Sequence, residues 1–273
     1  MTSPGAFHDF EHAGWEKAAA QYDQAFGELT AQSIEPLLDA VGAGPHVRLL
    51  DIATGPGHAA AAAARRGSSA VGIDFSDAMV ELASDRYPHL EFRLGDAERL
   101  DVETHSVDAV MMNYGMLHLS DPERAIAEAF RVLQPGGRYA FTVWDVPERA
   151  IGFGIILQAI QMHGKMDVGL PAGPPFFRFS DPEESKRTLA SAGFVNVKTL
   201  QVPQIWTVES GDELLAAFRT AAVRTAALLN QQTEATLKKI REEVLASAEQ
   251  YRRGGSIHLP MPSVLTSALR PAT

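Results

Sequence analysis

Four short stretches carry residue types that can hold a ligand or move a proton. The first is Val47-Arg-Leu-Leu-Asp51-Ile-Ala53-Thr-Gly55-Pro-Gly57-His, an apolar run that ends in a carboxylate and a glycine turn. Gly55 and Gly57 permit a tight turn and a close backbone approach to a ligand. Asp74 ends the next apolar run, 23 residues after Asp51, where a carboxylate can take both hydroxyls of a ribose. Asp96, in Gly95-Asp96-Ala97, and Asn113, in Asn113-Tyr114-Gly115, close the two runs that follow. Gly55-x-Gly57-x-x-Ala60 also fits the dinucleotide fingerprint, which alone is a weak signal. A pyrophosphate at that turn would be repelled by Asp51. A ligand with a sulfonium and an ammonium, and no phosphate, suits three successive carboxylates. The acids therefore favour S-adenosylmethionine over a nicotinamide or flavin dinucleotide. The plainer alternative makes Asp51 and Asp74 strand-end caps.

His118 lies five residues past Asn113 and before the Asp121-Pro122 pair, so it can face the same cleft. An imidazole suits proton removal from a phenol or an activated carbon acid near neutrality. Its alternative is a ring bonded to the backbone of that turn. His163 is a second, more distant candidate. His8 and His12 stand four apart, a spacing that puts two imidazoles on one helix face, but no third metal ligand accompanies them. Residues 1–12 read instead as a loose polar terminus. Trp144, Phe153, Phe176, Phe177 and Trp206 form a group that suits either a core or the apolar wall of a small-molecule pocket.

These residues need a scaffold that brings strand ends together. Ala13–Ala40 has helical spacing of Trp15, Tyr22, Phe26 and Leu29. From there short apolar runs (Val47–Ala53, Ala70–Ile73, Leu90–Leu94, Ala109–Asn113, Arg138–Trp144) alternate with helices near His58–Arg66, Asp77–Arg86 and Pro122–Leu133. Alternating strands and helices predict a parallel sheet with right-handed crossovers, and ligands bind beyond the carboxyl ends of such strands. Asp181-Pro182-Glu183-Glu184 carries the pattern of a capping box, and Gly193 suits the end of that helix. Val195–Val208 and Ile257–Leu269 read as two long strands that close the sheet edge antiparallel. The amphipathic helices Asp212–Leu229 and Thr233–Tyr251 are inserted between them.

With LLDIATGPG, VGIDFSDAMV, FRLGDAERL and RVLQPGGRYAFT in this order, the chain resembles the class I S-adenosylmethionine-dependent methyltransferases. Within them it is most similar to the ubiquinone and menaquinone biosynthesis branch, closely over Tyr22–Trp144 and only in outline beyond. The resemblance implies that Asp51, Ala53, Gly55 and Gly57 line the methionine end of the ligand. By the same likeness Asp74 holds the ribose and Phe75 and Met79 flank adenine. Asp96 would accept from the adenine amino group, and Ala97 would turn its N–H to the ring. Asn113 and Tyr114 would sit beside the sulfonium, and Tyr22 would close over the ligand or simply pack its helix. Ala53 stands where the family often has glycine; a negative φ there would accommodate the methyl group. Asn113-Tyr114-Gly115-Met116 lacks the Pro-Pro of enzymes that methylate exocyclic base nitrogens.

Composition narrows the choice. The chain has 273 residues, 34 acidic against 24 basic and no cysteine, a net charge of −10. Nucleic acid is a poor partner for that balance. Disulfides, Cys-ligated metals, a cysteine nucleophile and the thiol-dependent arsenic-methylating relatives are excluded. No apolar run is long enough for a membrane span and Met1–Phe10 is no signal peptide, so a soluble cytoplasmic protein is expected. The expected architecture is α/β, a Rossmann-like doubly wound sheet of seven mostly parallel strands with an antiparallel edge strand. Residues 1–44 form a helical cover, 45–145 the binding core and 146–180 a lid. Residues 181–273 end the sheet with the inserted helix pair at about 211–252. The expected activity is methyl transfer to O or C, with N left open, of a small aromatic or polyketide-like acceptor. No metal is expected, and a homodimer is left open. The rivals are an NAD(P)-dependent oxidoreductase, a non-methylating enzyme that binds the same ligand, and a regulatory protein without a cleft.

Overall fold

The structure, a computed structural model, describes residues 4–273. Two helices, α1 (Pro4–Ala31) and α2 (Ile34–Val41), precede an alternating core. The core runs β1 (Arg48–Ile52), α3 (His58–Arg65), β2 (Ser69–Asp74), α4 (Asp77–Arg86), β3 (Glu91–Leu94), β4 (Val107–Asn113), α5 (Pro122–Val132) and β5 (Leu133–Trp144). Helices α6 (Ile151–His163) and α7 (Pro182–Ser191) then lead to β6 (Val195–Val202) and β7 (Ile205–Val208). Helices α8 (Gly211–Ala221), α9 (Val223–Asn230) and α10 (Glu234–Glu249) come next. The chain ends with β8 (Arg252–Arg253), β9 (Ser256–Pro260) and β10 (Ser263–Leu269).

The main sheet has seven strands in the order β3-β2-β1-β4-β5-β10-β6. The chain winds outward from β1 to β3, then returns to β4 on the other side of β1. That reversal leaves a crevice at the carboxyl ends of β1 and β4. The central strands are apolar throughout because helices cover both faces: Leu49, Leu50, Ile52 and Ala109–Met112 are all buried. On one face the alanines of α3 bring the helix close to the sheet beside α2, and the larger aromatic cluster fills the other. Side chains cap the helix starts. Ser76 accepts from the Met79 N–H, Asp121 from that of Arg124 and Asp181 from that of Glu183. Gly193 adopts φ 98° just past α7, a left-handed conformation that closes the helix. The capping box itself does not form, because Glu184 turns to Arg178 and Arg187.

Several expectations are corrected by tertiary packing. The terminus is not loose over its described residues: α1 starts at Pro4, and Phe7, Glu11 and Trp15 are buried under the rest of the molecule. Helix 13–40 is two helices, broken at buried Ser33, whose hydroxyl donates back to the Thr30 carbonyl. Both long strands split at prolines that lack an N–H for the ladder. Pro203 separates β6 from β7, and Pro262 separates β9 from β10. The outer halves form a separate sheet, β7-β9-β8, which the sequence pattern did not reveal. Within the seven-stranded sheet only β10 runs antiparallel, and it lies inside β6, which forms the edge. Helix 212–229 breaks at Ala222 into α8 and α9. No described helix is long and apolar enough to cross a membrane.

Candidate active site

At the switch point lies a cleft of about 930 Å³, counting its open mouth. Its floor is the β1–α3 turn. Ala53 and Gly55 take φ 53° and 52°, and a side chain at Gly55 would meet nothing within 4 Å, so the backbone is bare to the cleft. Ala53 thus adopts the left-handed conformation, not the negative φ that would have suited its methyl group. Asp74 ends β2, and its Oδ2 accepts from the Gly55 N–H at 2.8 Å while Oδ1 accepts from the Ser76 N–H at 3.0 Å. Each oxygen keeps a lone pair for a ligand hydroxyl. Burial pushes the Asp74 carboxyl up to about 6, although these amides and that of Phe75 pull it down. Asp96 accepts from the Glu98 N–H at 2.8 Å, and His8 of α1 reaches its other oxygen at 3.2 Å. The rings of His8 and His12 stand edge-on to Phe75, 5.7 and 5.3 Å between centroids.

Most expected residues meet here. Tyr22, Ala53, Gly55, Asp74, Phe75, Met79, Asp96, Ala97, Asn113, Tyr114 and His118 all line the cleft. Asp51 and Gly57 stand behind its wall. Asp51 is fully buried; Oδ2 accepts from Thr54 Oγ1 at 2.7 Å and Oδ1 has no partner among the described residues. Burial raises its carboxyl to about 7, with the charge of Asp74 adding to the rise. Gly57, at φ 82°, serves packing, since a Cβ there would sit 2.8 Å from the Phe92 ring and 3.1 Å from Ala83. Asn113 is locked rather than free: its carbonyl accepts from Ser33 and Thr142 hydroxyls and its amide donates to the Thr30 carbonyl. Tyr114, at φ 59°, donates its hydroxyl to Gln204 at 2.7 Å and lays its ring on Trp144. His163 lies elsewhere, 3.7 Å from Glu243 of α10.

His118 sits at the end of a short 3₁₀ turn, Met116–His118. The Glu98 carboxylate accepts from the Ser120 and Asp121 N–H groups and anchors the loop that follows. His118 Nδ1 lies 2.9 Å from Oε2 of Glu11, whose Oε1 accepts from Arg224 Nε at 2.6 Å. Burial pulls the Glu11 carboxyl up, but His118 and Arg224 together outweigh it and hold the pKa below its ordinary value. Glu11, Arg224 and His58, which lines the cleft, are the residues that motif reading missed, and His8, read there as one of a metal-spaced pair, instead reaches Asp96. Glu11 was legible only as part of the spacing 8, 11, 15, 22 along one face of α1. Beyond Trp15, Tyr22 and His118, which line both spaces, lies a second chamber of about 350 Å³. Trp144, Phe153 and Phe176 wall it, whereas Phe177 and Trp206 do not reach it.

Fold and strand-tip cleft together define a Rossmann-like, doubly wound α/β architecture with its ligand cleft at the switch point. Residues 50–141 match the model of the methyltransferase domain family. A demethylmenaquinone methyltransferase of Renibacterium salmoninarum is 37% identical over 111 residues, 41% of this chain and 47% of that protein. The match spans about half the length of such curated relatives. Among solved structures, the [4+2]-cyclase SpnF superposes with TM-score 0.62 at 20% identity, covering 96% of this chain and 95% of that one. Phosphoethanolamine N-methyltransferase 2 of Haemonchus contortus, solved with S-adenosyl-L-methionine, gives TM-score 0.60 at 18% identity, covering 99% and 60%. At such identities the likeness is one of fold.

Proposed function

We propose that the chain is an S-adenosylmethionine-dependent methyltransferase that acts on O or C of a small aromatic or polyketide-like molecule. The observation that carries this reading is the charge of the cleft. Asp74 and Asp96 face it, and among the described residues Asp51 lies beneath it with an unpartnered oxygen and no lysine or arginine lines it. That wall opposes a pyrophosphate and suits a ligand with a sulfonium and an ammonium. Asp74 would hold the ribose hydroxyls, Phe75 and Met79 the adenine faces, and Asp96 the exocyclic amine. The bare backbone at Gly55 gives the methionine end room. The bound donor supplies a methyl group already activated by its sulfonium. The chain has to exclude water, align the acceptor and, where the acceptor carries a proton, remove it. Trp15 and Tyr22 of α1 cover the cleft, and His118 stands on its wall as the base. The named relatives in quinone biosynthesis support an aromatic acceptor.

Calorimetric titration with S-adenosylhomocysteine, with NADH in parallel, tests the reading. Micromolar binding of S-adenosylhomocysteine alone is expected. Tight NADH binding without it would hand the cleft to an oxidoreductase. Donor bound but never consumed across an acceptor screen would leave the cyclase-like alternative.

A further inference from the structure

The second chamber and the buried Glu11 lie outside the cleft proposed for the donor. We infer that the chamber beyond His118 is the acceptor site for an uncharged, planar hydroxyarene. In it Glu11 is the positioning residue that makes His118 Nε2 the base for the hydroxyl. The inference rests on the methyltransferase reading above.

Three observations carry it. Glu11 is ionised by its surroundings, so it can only accept, and Nδ1 of His118 must be the donor. A neutral His118 then carries its lone pair on Nε2, which has no hydrogen-bond partner among the described residues, on a ring that lines both cavities. The ring is also held in place: Trp15 and Phe176 stand edge-on to it at 4.7 and 5.8 Å. The chamber's own walls are aromatic, with Trp144–Phe153 and Phe153–Phe176 centroids 5.6 and 5.5 Å apart. Arg224 is the fixed cation in its lining. It is neutralised by Glu11 and donates its other N–H groups to the Pro174 and Leu117 carbonyls. No unpaired charge is left to recognise an ionic acceptor, and the flat walls select a ring.

In the step itself, the acceptor oxygen forms its bond to the methyl carbon as the methyl–sulfur bond breaks. The electron pair of that bond stays on sulfur. The hydroxyl proton passes to His118 Nε2, and the resulting imidazolium is stabilised by the Glu11 carboxylate. Glu11 and Arg224 are the charged groups that face the imidazole.

2-Naphthol is the probe. With S-adenosylhomocysteine bound, it should quench the fluorescence of Trp15 and Trp144. Ala222 lines the chamber and not the cleft, so Ala222→Phe should fill it, abolish that quenching and leave S-adenosylhomocysteine affinity unchanged. With S-adenosylmethionine, His118→Gln should lower naphthol turnover about 100-fold and Glu11→Gln about tenfold, with KM little changed. The residual activity of His118→Gln should climb about tenfold per pH unit between pH 7 and 9, because only ionised naphthol still reacts. Wild type should climb far less steeply. A Glu11→Gln enzyme with full turnover, or a His118→Gln profile parallel to wild type, overturns the dyad. Protein that binds S-adenosylhomocysteine yet neither binds nor methylates naphthol overturns the chamber. Failure to bind S-adenosylhomocysteine strikes the underlying reading instead.

Discussion

Asp74 is placed to do two jobs with one carboxylate. It closes the glycine turn through the Gly55 N–H and keeps lone pairs toward the cleft. Asp74→Asn should lower S-adenosylhomocysteine affinity by about 1–3 kcal/mol, since a buried ligand hydroxyl loses its charged acceptor. The wild-type carboxyl, raised to about 6 by burial, must be ionised to accept both hydroxyls. Wild-type affinity should therefore fall as pH drops below 6, and Asp74→Asn should lack that limb. Calorimetry between pH 5 and 8 checks both; a parallel pH dependence in the variant would remove Asp74 from the ribose. Ala53 is a second residue-scale case. Its left-handed backbone (φ 53°) costs an L-residue roughly 1–2 kcal/mol, and such strain collects at ligand sites. Ala53→Gly should raise the urea midpoint by an amount equivalent to about 1 kcal/mol, and a lowered midpoint would refute the strain.

At the scale of elements, the contact of α1 with α9 decides whether Glu11, Arg224 and His118 come together. Glu11 comes from α1 and Arg224 from α9. They meet because Gly14 lets the start of α9 approach: a Cβ at Gly14 would lie 2.3 Å from Val223 Cγ1. Alanine is the better helix former by about 1 kcal/mol, so on α1 alone Gly14→Ala would stabilise. In the folded protein it should destabilise by about 1–3 kcal/mol and separate Glu11 from Arg224. Val223→Ala in the same chain should recover most of the loss. Thermal unfolding of the single and double variants reads this directly, and a stabilised Gly14→Ala would show that the contact does not constrain α1.

For the whole molecule, the two buried carboxylates set the sign of the pH response. Asp51 and Asp74 have folded pKa values of about 7 and 6, above the 3.8 of a free carboxyl. Between those limits the folded state binds more protons than the unfolded one, so stability falls as pH rises toward 7. Glu11 works the other way, and its stabilisation is lost only as pH falls below its ordinary 4.5. The ligand-free protein should thus be most stable near pH 4–5, where the opposing effects meet, and lose about 4–5 kcal/mol by pH 8. S-adenosylhomocysteine, whose hydroxyls and ammonium favour the ionised carboxylates, should add more to the melting temperature at pH 8 than at pH 5. Melting curves across that range test it; ligand-free stability that rises from pH 6 to 8 would contradict the burial.

Much of the scaffold was legible along the chain because it is local. Strand runs, helix caps and the Asp51–Gly57 turn are set by neighbours within a few residues, and the β1–β5 core with its cleft follows from them. Motif order likewise placed Asp74, Phe75, Met79 and Asp96 around one space. What the sequence did not disclose depends on packing between distant segments. The prolines at 203 and 262 are visible as letters, but only the tertiary structure shows that they divert half of each strand into a second sheet. Residues 4–12 look polar and loose, and become ordered helix because the cleft and α9 cover one face. Glu11 has no motif at all: its carboxylate is satisfied by His118, 107 residues away, and Arg224, 213 residues away. The sequence by itself determined the strand-tip constellation, since backbone turns and caps are short-range physics. Only the folded molecule decided the partner of His118, because a buried charge finds its counter-charge in space and not along the chain.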